Sequence, residues 1–270
     1  MENNENEEAI MMPERQFILS CESTVDLPWA WASERDIPIL FYSYMIDGVT
    51  YIDDMGRDPE SIPAFYRRLE AGALPTTAQV MDISLNTKKL INFKKKQKIA
   101  ARAVTLLQEN DSIIMGAGST LEVMAELLKP KGRLNVVTPA VNVSMTLGDM
   151  SGVSVMQLGG ILYGNSLCVI GSEAKSQLEN LHCSKLFFGV DGIDPEVGVT
   201  CATVEEAELL ARMTRIVNTI VVLADSSKVR YRGFSRICGC EDVDILITDA
   251  GISDEDRKLL EKTGMKVIVA

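Results

Sequence analysis

Histidine is almost missing from this chain: one in 270 residues, His182, next to Cys183. Cysteine clusters are missing as well. The six cysteines lie at positions 21, 168, 183, 201, 238 and 240, and their only close pair is Cys238-Gly-Cys240. Neither arrangement has the ligand spacing of a structural zinc site. A chain this long buries a core without disulfides, so the thiols are expected to be buried and inert. No metal or cofactor is expected. Apolar runs are short, none approaching the roughly 20 residues of a membrane-spanning helix. Met1 to Glu8 is acidic and polar, unlike a signal peptide. The expectation is a cytoplasmic protein with no membrane partner.

Positive charge is in short supply too. Lys and Arg number 27 against 38 Asp and Glu, a net charge of −11. Residues 1–92 hold 7 basic and 16 acidic groups, and residues 93–270 hold 20 and 22. Such a chain repels nucleic-acid phosphates unless it carries a local basic patch. The one run of that kind, Lys94-Lys95-Lys96-Gln97-Lys98, reads as the solvated start of a helix.

What is present is a regular alternation. Residues 1–12 are Asn- and Glu-rich and read as a disordered tail. Strands fit Gln16–Ser20 and Ile37–Tyr44, with a short helix around Pro28–Glu34 between them. Asp47-Gly48 signals a hairpin, Val49–Ile52 returns from it, and Pro59–Ala71 reads as a helix. Met81 to Phe93 is polar and fits neither neighbour, which sets a boundary between a small α/β segment, 13–84, and a larger domain, 85–270. In the larger part, strands at Ser112–Met115, Leu134–Thr138, Val153–Leu158, Lys185–Val190, Thr219–Ala224, Val243–Thr248 and Lys266–Val269 alternate with helices. These are Lys95–Gln108, Ser119–Leu128, Val141–Leu147, Ser172–Leu181, Val204–Val217 and Asp254–Thr263. Short apolar strands between amphipathic helices imply βαβ units: an α/β fold with a mostly parallel sheet and helices on both faces.

In such sheets ligands bind beyond the carboxyl ends of the strands. The first of these strand ends leads into Gly116-Ala117-Gly118-Ser119-Thr120 and a helix. Small residues let backbone approach an anion there, and the helix start offers free amides and a positive dipole end. The next ends carry Thr138, with Asn142 nearby, then Gly159-Gly160, then Asp191-Gly192-Ile193-Asp194, then Asp225-Ser226-Ser227-Lys228. Each alone is an ordinary turn. Together they define a rim with hydroxyls and amides for phosphate, Lys228 for its charge, and Asp191 and Asp194 for sugar hydroxyls.

From about Lys95 to Ala270 these pieces resemble the C-terminal effector domain of DeoR-type transcriptional regulators. The resemblance is carried by Lys98-Ile99-Ala100, Gly116–Thr120, Leu158-Gly159-Gly160, Phe187–Asp194, Gly198-Val199-Thr200, Glu206-Ala207 and Leu223–Lys228, in order along the segment. It implies a fold similar to ribose-5-phosphate isomerases and CoA-transferases, a phosphorylated sugar as ligand, and oligomerisation. Glu206 and Asp225 join the expected ligand contacts on the same ground. Isomerases share that fold, and they follow Asp-Gly-x-Asp with a Lys-Gly-Gly-Gly stretch and a glutamate base. Here Asp194 is followed by Pro195-Glu196-Val197-Gly198, and Glu205 or Glu206 reads equally as a cap on its helix. The expectation is binding without turnover.

A DeoR-type regulator carries a winged helix-turn-helix ahead of this domain. Only Thr77–Leu90, around Ile83-Ser84-Leu85-Asn86-Thr87, has some look of a recognition helix, and a basic wing is missing, so DNA binding through this chain alone is not expected. About residues 16–80 instead resemble the start of the DegV family, which binds fatty acids. Glu22–Leu27, Asp47–Asp54 and Leu74–Gln79 carry that likeness, with Glu22 and Ala78 where the family has aspartate and serine. It implies Ser23, Thr24 and Thr77 as contacts to a lipid head group. A sugar-phosphate sensor is thus the leading reading, with a fatty-acid binder, an isomerase and a DNA-binding repressor as alternatives.

Overall fold

The computed structural model describes residues 85–270 without a break and, before them, residues 21–22, 30, 34, 39–40, 43–46 and 49–52. The chain divides into two compact units, 1–79 and 80–270. In the first, β1 (Cys21–Glu22) pairs in parallel with β2 (Ile39–Leu40). The expected hairpin is present: β3 (Ser43–Ile46) and β4 (Val49–Ile52) pair antiparallel with Ile46 opposite Val49. The expected tail, the strand at Gln16–Ser20, the helix at Pro59–Ala71, and Ser23, Thr24 and Thr77 lie outside the described residues. Among the described residues no helix is long and apolar enough to cross a membrane.

The second unit opens with two helices, α1 (Leu85–Leu90) and α2 (Phe93–Val104). Seven parallel strands follow: β5 (Ser112–Met115), β6 (Leu134–Thr138), β7 (Val153–Gln157), β10 (Cys183–Gly189), β13 (Val217–Leu223), β15 (Ile245–Thr248) and β16 (Lys266–Val269). Their order across the sheet is β16-β15-β13-β10-β5-β6-β7. The chain therefore steps outward from β5 to β6 and β7, then returns to the other side of β5 and steps outward again from β10. The point of reversal, between β5 and β10, is where an open parallel sheet leaves a crevice at its carboxyl edge.

Successive strand residues face opposite sides, and two cores follow from that. Ile113, Met115, Phe187, Val221 and Ile247 pack with α2, α3 (Ser119–Leu127) and α4 (Val141–Gly148). Ile114, Leu186, Phe188, Val222 and Leu246 pack with α5 (Ser172–Ser176), α6 (Val204–Thr214) and α7 (Asp254–Glu261). The sheet is thus covered on both faces, as its continuous apolar strands require. Two additions lie outside the main sheet. A hairpin, β8 (Ile161–Tyr163) with β9 (Cys168–Ile170), follows β7, and β11 (Gly192–Asp194), β12 (Gly198–Cys201) and β14 (Ser235–Cys238) form a small antiparallel sheet.

The five described cysteines beyond Cys21 are free, and four of them are buried. Burial pushes the Cys201 and Cys238 thiols up to about 12 and Cys240 to about 11, and it raises Cys168 and Cys183 as well. A thiol held that high supplies no thiolate near neutral pH.

Candidate functional site

A cavity of about 130 Å³ opens at the reversal point of the sheet. Its floor comes from Gly118 and the first turn of α3 after β5, Ser119-Thr120, from the end of β10 and the residues after it, Gly189-Val190-Asp191, and from Asp225, Ser227 and Lys228 after β13. Glu206 on α6, Cys168 on β9, and Asn165 and Ser166 in the hairpin loop line it as well. Leu85, Lys88, Ile91 and Lys96, from α1 and α2 and the join between them, complete the lining.

Each side chain is placed by local chemistry. Gly118 caps α3 at φ 126 and ψ 159, a conformation that essentially only glycine adopts. The first-turn amides after it have no acceptor within the helix, and the dipole adds positive potential at that end. Ser119 and Thr120 are buried, and among the described residues their hydroxyls make no hydrogen bond. Thr203 caps α6: its hydroxyl accepts from the Glu206 amide and donates to Glu206 Oε2, each at 3.3 Å. Ser166 donates to the other oxygen, Glu206 Oε1. Asp225 caps a 3₁₀ turn, Ser226–Lys228, and accepts from Asn92 Nδ2 at 3.1 Å. Asp191 accepts from the Ala202 amide at 3.0 Å and pairs with Lys88 Nζ at 2.7 Å.

Of the residues expected at the site, the cavity gathers Gly118, Ser119, Thr120, Asp191, Glu206, Asp225 and Lys228. Gly116, Thr138, Gly159, Gly160 and Asp194 fall outside its lining. Gly116 continues the sheet ladder, its amide donating to Phe187 O at 2.8 Å. Thr138 is fully buried and accepts from the Ala140 amide, which fixes the turn into α4. Gly159 is bound to the Gln177 side chain, and Gly160 sits at φ 146 where a Cβ would lie 2.6 Å from Ile170 O. All five hold strands and turns in place rather than facing the cavity.

Asp194 is the clearest displacement. One carboxylate oxygen accepts from the Glu196 and Val197 amides, closing the β11–β12 hairpin, and the other pairs with Arg232 Nε at 2.7 Å. Burial alone would raise this carboxyl. The Arg232 guanidinium and the two amides outweigh it and hold the group below the usual aspartate range. A depressed folded value means stability that is present above the unfolded pKa and lost as pH falls through the folded one. Asp194→Asn is therefore expected to cost about 1–3 kcal/mol at pH 7. The loss of stability below about pH 4 should also become shallower, with binding at the cavity unchanged. Urea titrations at pH 7 and pH 3 check this.

The lysine run holds a correction. Lys94 and Lys98 are exposed, as a solvated helix start requires, but Lys96 is 6% exposed and lies on the buried face with Ile99, Ala100 and Ala103. Lys95 pairs with Asp249 at 3.1 Å. The spacing 96, 99, 100, 103 is a single helical stripe, so the periodicity could have placed Lys96 inward. Lys88, on the stretch with some look of a recognition helix, pairs with Asp191, and Lys89 pairs with Glu122 at 2.7 Å. Leu85 is buried and its amide donates to Asn165 O at 2.7 Å. α1 is thus a wall of the cavity. No sequence signal pointed to Lys88, Asn165 or Ser166, whose partners lie far away in the chain.

Fold and site together define an α/β domain with a cavity at the reversal point of its parallel sheet. The family model described as the DeoR C-terminal sensor domain matches residues 91–250, and the chain belongs to that family of transcriptional regulators. A protein named for repression of the aga operon in Escherichia coli O157:H7 is 32% identical over 204 residues, 75% of this chain and 76% of that protein. The lactose phosphotransferase system repressor of Streptococcus mutans is 28% identical over 199 residues, 73% of this chain and 78% of its own length. Ribose 5-phosphate isomerase A of Methanocaldococcus jannaschii superposes over 51% of this chain and 55% of its own, at 18% identity and a TM-score of 0.37.

Proposed function

We propose that the cavity binds a phosphorylated sugar and that the chain reports its presence without converting it. One observation carries this reading: the first turn of α3, the Lys228 ammonium, and the carboxylates Asp191 and Glu206 line one cavity at the reversal point of the sheet. Free amides, two unengaged hydroxyls and a cation suit a phosphate dianion. Lys228 makes no ion pair among the described residues, so its charge is available. Carboxylates suit sugar hydroxyls, for which they act as acceptors. Binding without turnover is supported by the state of Glu206, the one glutamate among the described residues that line the cavity. Its oxygens are occupied by Ser166 and Thr203 at the start of α6, so they are engaged within the protein rather than poised as a base. The names of the relatives, a repressor of a lactose phosphotransferase system among them, fit a sugar-responsive regulator.

A ligand at 100 times its dissociation constant adds about 2.7 kcal/mol to stability, which for a domain of this size raises the melting temperature by roughly 5–10 °C. That rise is expected for one or more phosphorylated sugars in a thermal-shift panel, with Lys228→Ala losing most of it. A panel with no rise removes the reading. Conversion of ribose 5-phosphate to its ketose by the purified protein would replace the sensor with an enzyme.

A further inference from the structure

Lys96 is the least comfortable charge in the domain. Its ammonium is buried, lines the cavity, and donates a hydrogen bond to the Lys88 carbonyl. Among the described residues no carboxylate comes within ion-pair distance of it. The carboxylate it senses is Asp225, whose Oδ1 accepts from Asn92 and from the Ser227 amide and hydroxyl and which lies beyond ion-pair distance of Lys96. A buried ammonium without a paired anion is costly, and an apolar side chain of similar length would be cheaper in this position. An incoming anion would supply what the protein withholds.

Resting on the sugar-phosphate reading above, we propose that Lys96 is a ligand-binding residue, the cation that meets the phosphate monoester inside the cavity. Lys228 approaches from the turn after β13, and Lys88 is committed to Asp191, so Lys96 and Lys228 form the anion's charged partners. The charged groups around Lys96 are Asp225 and Lys228 after β13 and Lys88 on α1, with Asp191 and Glu206 lining the same cavity. Burial lowers the Lys96 ammonium to a pKa of about 8; Asp225 works against that, and Lys228 and Lys88 add to it. The free protein thus carries most of this charge at pH 7 and little at pH 9. A phosphate monoester, with its second pKa near 6, is a dianion at both. Its binding returns the proton to Lys96, so affinity falls roughly tenfold from pH 7 to pH 9.

The test is calorimetric titration of the full chain with glucose 6-phosphate, fructose 6-phosphate, ribose 5-phosphate and inorganic phosphate at pH 7 and pH 9. Lys96→Met and Lys96→Gln are the variants, and Lys98→Met, exposed on the same helix, is the control. Wild type and the control are expected to bind at least one probe roughly tenfold more weakly at pH 9. Both Lys96 variants should bind at least tenfold more weakly at pH 7, lose the pH difference, and melt no lower than wild type without ligand. Wild-type affinity and pH profile in either Lys96 variant overturn the role of Lys96 and leave the sugar-phosphate reading intact. If only inorganic phosphate binds, the sugar reading falls, and Lys96 is judged on that anion by the same comparison. If no probe binds wild type, both fall.

Discussion

Replacing Phe188 by alanine is expected to cost the sensor domain about 3–5 kcal/mol. Phe188 is fully buried on β10, the strand at the middle of the seven, and its side chain anchors the layer that also holds Leu209 and Met213 of α6. A domain's entire margin is about 5–15 kcal/mol, so the loss takes a large share of it. The effect should appear as a lower urea midpoint with an unchanged slope, since the surface exposed on unfolding stays the same. Binding should weaken as well. A Cβ at Gly116 would stand 3.0 Å from Phe188 Cβ, so β10 at Phe188 lies against the loop that leads to Gly118, and its relaxation around the missing ring is expected to reach that loop. A loss under 1 kcal/mol would mean that the two layers are not packed at β10 as described.

The fold was legible where strands are short, apolar and bounded by turns. Ser112–Met115, Leu134–Thr138 and Lys266–Val269 have the bounds their sequences suggest. The β13 strand begins two residues before Thr219 because Val217 and Asn218 extend the pairing with β10, Val217 standing opposite Cys183. A strand's start depends on its neighbour's register, which periodicity does not carry. The helix expected over Ser172–Leu181 shortens to Ser172–Ser176, since Leu178 reaches the core from a run of turns. Neither the β8–β9 hairpin nor the β11–β12–β14 sheet was anticipated. β12 is buried along its length, without alternation, and β14 joins it from more than thirty residues away.

The site was legible in its loops and not in its roof. Backbone-rich signals such as Gly118-Ser119-Thr120 and Asp225-Ser226-Ser227-Lys228 announce themselves because their chemistry is local. Lys88 and Ser166 acquire their roles from Asp191 and Glu206, 103 and 40 residues away. Asp194 carries the opposite lesson: a carboxylate beside a strand end met three partners of its own first, and its sequence motif could not tell the two uses apart.

Gly118 separates the two roles a glycine can have here. With φ 126 and ψ 159 it occupies a region that an L-residue enters at a cost of about 1–3 kcal/mol. The space around it is open: a Cβ would meet nothing closer than Leu121 Cδ2 at 4.0 Å. Gly118→Ala therefore strains the backbone without a clash, and the strain is relieved only by turning the peptide that aims the first-turn amides of α3. Two charge-assisted hydrogen bonds from those amides contribute about 3 kcal/mol or more, so sugar-phosphate affinity is expected to fall at least a hundredfold while the protein stays folded. Gly160→Ala is the comparison. It also has positive φ, but its Cβ would press on Ile170 O at 2.6 Å, away from the cavity lining. That variant should lose stability and keep its affinity once folded. Equal affinities in the two variants, measured by calorimetry below their melting temperatures, would mean that the α3 amides do not hold the anion.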